Sequence, residues 1–120
     1  LKLRQEHPPR LYLDDQVRRI LVGGREVDLS RVPAKAYGML QYLYQRGEEL
    51  VTKADLYYLA YLGLDRIPSI GDPTYEDPKS YEGVIDTNLW RLRQAIEPDP
   101  SEPVLLETVR GHGVILHARW

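Results

Sequence analysis

Four apolar residues, Ile85, Leu89, Leu92 and Ile96, recur at i, i+4, i+7 and i+11. At about 100° per residue they fall within about 40° of one line on a helix, a stripe that has to be buried. This predicts a helix over 82–96. The run EPDPSEP closes it, and VLLETV, the turn GHG and VILHARW then read as a β-hairpin. A buried helix that leads straight into a hairpin is the strongest constraint on what the rest of the chain can build.

Upstream, short runs of Leu, Tyr, Val and Ile between Arg10 and Leu29 are broken by Asp14-Asp15 and Gly23-Gly24. They predict antiparallel strands at 10–13, 17–22 and 25–29, with VGGRE as the tightest turn because glycine tolerates positive φ. Pro33 opens a helix over 33–46, with Ala36, Tyr37, Leu40, Leu43 and Tyr44 at helical spacing and Gly47 as its stop. After Leu50-Val51, a short apolar stretch, Thr52-Lys53-Ala54-Asp55 has the form of a capping box with Asp in place of Glu. Leu56, Leu59 and Ala60 carry the second helix over 53–62. Residues 65–80, DRIPSIGDPTYEDPKS, hold three prolines and no periodicity and are expected to be a loop.

The 120 residues suit one domain. No apolar run approaches the roughly 18 residues of a membrane span, and the N-terminal LKLRQEHPPR lacks the apolar stretch of a signal peptide, so a cytoplasmic protein is expected. With no cysteine, disulfides and thiolate zinc sites are excluded, and His7, His112 and His117 make a poor metal set. No serine or carboxylate is spaced for a triad, and neither a Walker loop nor GxGxxG occurs. Neither an enzyme nor a bound cofactor is expected. The chain begins at Leu1 rather than methionine, from which we expect a segment of a longer protein, with residues 1–9 as a linker from an upstream receiver or sensory domain.

Strands, helix, short strand, helix, loop, helix and hairpin, in that order, make an α+β chain laid out as a winged helix-turn-helix: an N-terminal antiparallel sheet, three helices and a C-terminal hairpin wing. In such an architecture the third helix can enter a major groove while the hairpin reaches an adjacent groove or phosphate. The net charge of −2 counts against nucleic acid, but a binding face needs only a local excess of cations. Opposite the buried stripe lie Gly83, Thr87, Trp90, Arg91 and Gln94, with Asn88 and Arg93 on the flanks. Arginine bridges guanine or phosphate bidentately, Asn and Gln pair with adenine, and Thr offers a methyl to thymine. The same residues also suit a plain solvated helix face.

The segments VIDTNLWRLRQAIEPDP and VLLETVRGHGVIL resemble the DNA-binding output domain of OmpR/PhoB-type response regulators, whose signature is close to VDVHIxRLRKKLEP followed by TVRGxGYxL. GREVDLS and LVTKADL extend the similarity backwards, so that it covers about residues 10–118. The resemblance implies a four-stranded N-terminal sheet, a third helix in the major groove of double-stranded DNA and a wing over 104–119 at the minor groove. Carried over by position, Thr87, Trp90, Arg91 and Gln94 face the groove, Arg93 holds phosphate, and Thr108 and Arg110 are wing contacts. His112 at the wing tip could touch phosphate or sugar, and His117 reads as an ordinary strand residue. For Arg110, which precedes Gly111 at the tip, the alternatives are entry into a narrow minor groove or a salt bridge from hairpin to helix.

Departures from the family pattern are specific. Trp90 stands where a basic or polar residue is usual, Gln94 where lysine is, Gly83-Val84 replaces an Arg-Thr pair, and Val114 replaces an aromatic. Trp90 leaves three readings open: a base contact, a protein contact, or a ring folded back onto the core. Together with the acidic balance it keeps a second function in view, a winged helix used for protein contact. The family also implies a monomer in solution that pairs in tandem on DNA, and a loop, here 65–80, that can touch RNA polymerase. A solvated insertion with no partner is the alternative for that loop.

Overall fold

The computed structural model describes residues 10–119; the expected linker 1–9, with His7, and the terminal Trp120 lie outside them. Strands β1 (Leu11–Asp14), β2 (Arg19–Val22) and β3 (Arg25–Glu26) form an antiparallel sheet in the order β1-β2-β3. Pairing of Leu11 with Val22 and of Leu13 with Ile20 sets the register. It puts Leu11, Leu13 and Ile20 inside while Tyr12 faces out, the alternation expected of a half-buried strand. Gly23 and Gly24 join β2 to β3 with φ of +57° and +84°, the two positive values that a type I′ hairpin turn demands. Where the resemblance implies four strands, this sheet has three among the described residues. The third strand also stops short of 29: the Asp28 carboxylate accepts from both the N–H and the hydroxyl of Ser30 and starts a 3-10 turn, Leu29–Arg31.

Helix α1 (Ala34–Gln45) buries Ala36, Tyr37, Met39, Leu40 and Leu43. Pro33 caps it instead of forming its first turn. The second helix, α2, begins as expected, with the Thr52 hydroxyl accepting from the Asp55 N–H at 3.0 Å. It is regularly α-helical only over Lys53–Asp55 and then widens into a π turn, Leu56–Tyr61. That widening buries three consecutive side chains, Leu56, Tyr57 and Tyr58, which 3.6-residue periodicity does not do.

Helix α3 runs over Pro78–Ile96 and so starts before the predicted 82. Asp77 caps it by accepting from the Lys79 N–H at 2.9 Å, and Pro78 occupies the first turn, so 78–80 belong to the helix and not to the loop. The predicted stripe of Ile85, Leu89, Leu92 and Ile96 is buried, and Tyr81 joins it.

The wing pairs β4 (Leu106–Val109) with β5 (Gly113–Leu116), and Val51 adds a bridge to Val114 through two 2.8 Å hydrogen bonds. A side chain at Gly113 would place its Cβ 2.2 Å from the Val51 carbonyl oxygen, so this close approach of backbones requires glycine. Among the described residues, no helix is long and apolar enough to cross a membrane.

Candidate nucleic-acid interface

The start of α2 and the middle of α3 are tied by an ion pair, Lys53 Nζ to Asp86 Oδ1 at 2.8 Å. On the outer face of α3, Thr87, Trp90 and Arg91 are exposed and Gln94 is half-buried. Trp90 keeps 60% of its surface in solvent, which removes the reading of a ring folded onto the core. Arg91 makes no hydrogen bond or ion pair with any described residue, so its guanidinium is available to a ligand.

Asn88 corrects the sequence reading. It was expected on a polar flank, but it is buried, and its Nδ2 donates to the Val84 carbonyl oxygen at 2.9 Å. The turn-to-turn bond satisfies the amide inside the helix packing, which leaves it out of reach of a groove.

Arg93 also lies elsewhere than on an open phosphate-binding flank. Its Nε and Nη2 donate to the Leu106 carbonyl oxygen at 3.2 and 3.0 Å, and Nη2 donates to Thr108 Oγ1 at 2.7 Å. Burial pulls its guanidinium below the ordinary value, opposed by the carboxylates of Glu97 and Asp86. One turn further on, Glu97 closes α3 and is itself buried. Its carboxylate accepts from the N–H groups of Val104, Leu105 and Leu106 at 2.7–3.0 Å. The sequence reading missed Glu97. A signal was there to be used: an acid at a helix C-terminus opposes the helix dipole and needs a compensating set of donors.

At the wing tip, Arg110 and His112 are exposed in a turn that the His112 N–H closes on the Val109 carbonyl oxygen at 2.9 Å, with Gly111 at φ +79°. Among the described residues Arg110 forms no ion pair, so the hairpin-to-helix salt bridge is not made. Thr108 is exposed on β4 with its hydroxyl oxygen taken by Arg93. His117, read as an ordinary strand residue, sits between two carboxylates: Nε2 is 2.7 Å from Glu107 and Nδ1 is 3.1 Å from Glu48. The bond to Glu107, reinforced by Glu48 and opposed by burial, raises its pKa above 6.5. No group of three or more metal-ligating side chains occurs among the described residues.

The long loop is anchored where it meets α3. Tyr58 donates its hydroxyl to the Glu76 carbonyl oxygen at 3.1 Å and accepts from the Glu76 N–H at 2.8 Å. Tyr57 donates to the Glu76 carboxylate at 2.7 Å, a bond that with burial pushes its pKa up to about 12. The Tyr57 ring stacks on Tyr81 with centroids 4.4 Å apart. Tyr57, Tyr58 and Tyr81 are therefore packing residues, all three buried. Ile67 and Ile70, by contrast, stand exposed on the loop.

No protein-family profile matches the chain. Among curated proteins it is similar to the sensory transduction protein RegX3 of Mycobacterium tuberculosis, 34% identical over 86 residues that make up 72% of this chain and 32% of that protein. RegX3 of Mycobacterium leprae is 32% identical over 108 residues, 90% of this chain and 46% of that protein. Protein PetR of Rhodobacter capsulatus is 31% identical over 86 residues, 72% of this chain and 33% of that protein. The chain thus spans between a third and a half of these relatives. Among solved structures, the RstA DNA-binding domain of Klebsiella pneumoniae in complex with RstA box superposes with a TM-score of 0.63 at 21% identity, covering 92% of this chain and 93% of that one. Response regulator DrrB, an OmpR/PhoB homologue of Thermotoga maritima, superposes with a TM-score of 0.61 at 24% identity, covering 89% of this chain and 41% of that one. The DNA-binding domain of CpxR from E. coli gives 0.57 at 19% identity, over 94% and 99% of the two chains.

Proposed function

The chain is a winged-helix domain of the OmpR/PhoB type, and from that premise we propose that it binds double-stranded DNA as the output domain of a response regulator. The observation that carries this reading is the pairing of two unengaged arginines on separate elements. Arg91 stands on the outer face of α3 and Arg110 at the tip of the wing that α3 holds. With α3 in the major groove, Thr87, Trp90, Arg91 and Gln94 meet base edges, and Thr108, Arg110 and His112 meet the backbone and minor groove. Asn88 drops out of this set because it is buried. RstA, a similar fold, is known in complex with its own DNA box, which supports the reading.

Regulation by an upstream receiver domain, a solution monomer that pairs in tandem about one helical turn apart on DNA, and contact of the 65–77 loop with RNA polymerase belong to the same proposal. Binding to mixed genomic DNA at two salt concentrations tests its core. A binder that releases counterions weakens with a log-log slope near −0.9 per phosphate contact. No retention at low salt would instead favour a winged helix used for protein contact, to which the exposed Trp90 and the net charge of −2 would then belong. Arg91→Ala and Arg110→Ala are each expected to weaken binding by about 1–3 kcal/mol while the melting temperature stays near that of the parent, because both side chains are exposed. Loss of folding in either would remove that arginine from the interface.

A further inference from the structure

Arg93 stands where the family pattern calls for a phosphate contact, yet its guanidinium is turned toward its own wing. Nε and Nη2 converge on the Leu106 carbonyl oxygen, and Nη2 also reaches Thr108 Oγ1 at 2.7 Å. Four residues along α3, Glu97 takes the N–H groups of Val104, Leu105 and Leu106. Helix and wing are thereby joined by two side chains of opposite charge one turn apart, one holding three donors of the strand segment and the other two acceptors. The fork of a guanidinium can make both of the Arg93 contacts at once, which a lysine ammonium on a flexible stem does not reproduce.

Because Thr108 Oγ1 accepts from a charged donor, its own hydroxyl hydrogen is left to point elsewhere, and Thr108 is exposed. We propose that Arg93 is a positioning residue for DNA binding: it fixes β4 at Leu106 and Thr108 and orients the Thr108 hydroxyl as an outward donor to a backbone phosphate. The inference rests on the DNA-binding reading. It differs from a direct phosphate contact in a measurable way, since a positioning residue neutralises no phosphate and releases no counterion of its own.

The test compares the parent chain with Arg93→Met, Arg93→Lys, Thr108→Val and Arg93→Met/Thr108→Val. Each is titrated against a pool of random-sequence duplex DNA over a range of salt, with folding followed by circular dichroism. Arg93→Met is expected to bind less tightly on the order of tenfold, within the range for coupling of contacting residues, with the salt slope unchanged. Arg93→Lys should not recover the loss although it keeps the charge. Thr108→Val should lose a similar factor, and the double variant should be no weaker than the weaker single one. A slope shallower by about 0.9 in Arg93→Met that Arg93→Lys restores would show a direct phosphate contact and overturn the inference. Additive losses in the double variant would overturn it as well. Should Arg93→Met not fold, Arg93→Lys and Thr108→Val decide through the same two readouts. A parent chain that retains no DNA at low salt removes the DNA-binding reading itself and this inference with it, a result distinct from either of the others.

Discussion

The two ends of helix α3 are each anchored through a glutamate, half-buried at the start and buried at the finish. At the start, aromatic side chains do the holding: the Tyr58 hydroxyl brackets the Glu76 backbone, the Tyr57 hydroxyl donates to the half-buried Glu76 carboxylate, and the Tyr57 ring stacks on Tyr81. At the finish, a buried carboxylate is surrounded by backbone donors, with the Arg93 guanidinium packed a turn away. These bonds go to a half-buried residue that water still reaches, so they exchange with water at modest net gain and the clamp can be weakened step by step. A buried charge behaves differently: once its partners are gone, every orphaned group carries its full desolvation penalty. The helix is therefore fixed at the wing end and more forgiving at the loop end.

The largest effect expected from this contrast is at Glu97. Glu97→Ala leaves the buried amides of Leu105 and Leu106 without an acceptor and should cost about 3 kcal/mol or more in urea unfolding. A loss below about 1 kcal/mol would mean that water replaces the carboxylate and that the two ends are alike. Tyr58→Phe sharpens the comparison from the other side. It removes one hydroxyl and leaves the ring packed, so we expect about 1 kcal/mol, and faster amide exchange confined to the loop and the first turn of α3. Exchange spread over the whole helix would break the contrast.

The smallest effect concerns pH at the wing base. The folded-state pKa of His117 is raised, so its contribution to stability is full below 6.5 and is lost as pH rises through the higher folded value. The parent chain should accordingly lose stability relative to His117→Gln as pH climbs from about 6 toward 8. A constant difference between the two across that range would show that the bonds to Glu48 and Glu107 do not depend on the imidazolium.

Much of this fold follows from features that act over a few residues. The i, i+4, i+7, i+11 stripe of Ile85, Leu89, Leu92 and Ile96 is buried as its spacing requires, and Gly23-Gly24 makes the turn that its lack of Cβ permits. Thr52 caps α2 as its sequence context predicts. The start of α3 was also legible: Asp77-Pro78 is a helix-opening pair, overlooked because the prolines of 65–80 read together as breaks. Trp90 falls opposite the buried stripe by the same periodicity, and the structure exposes it, which removes the fold-back that its large apolar ring had left open.

What the sequence determined by itself, then, is the order of the elements, the buried faces of α1 and α3 and the presence of a wing, because periodicity, caps and turn residues are properties of neighbours along the chain. On α2, where Leu59 and Ala60 were expected inside, Tyr57 and Tyr58 are buried instead. Tertiary structure alone decided that Asn88 turns inward, that Leu56–Tyr61 widens into a π turn, and that Arg93 and Glu97 spend their hydrogen bonds on the wing. The reason is physical. A guanidinium and a carboxylate can each be satisfied by water or by buried backbone, and the choice depends on which strand packs beside them, here one that begins nearly ten residues beyond the end of the helix; the Asn88 amide, buried by the packing around α3, is satisfied by its own helix at Val84.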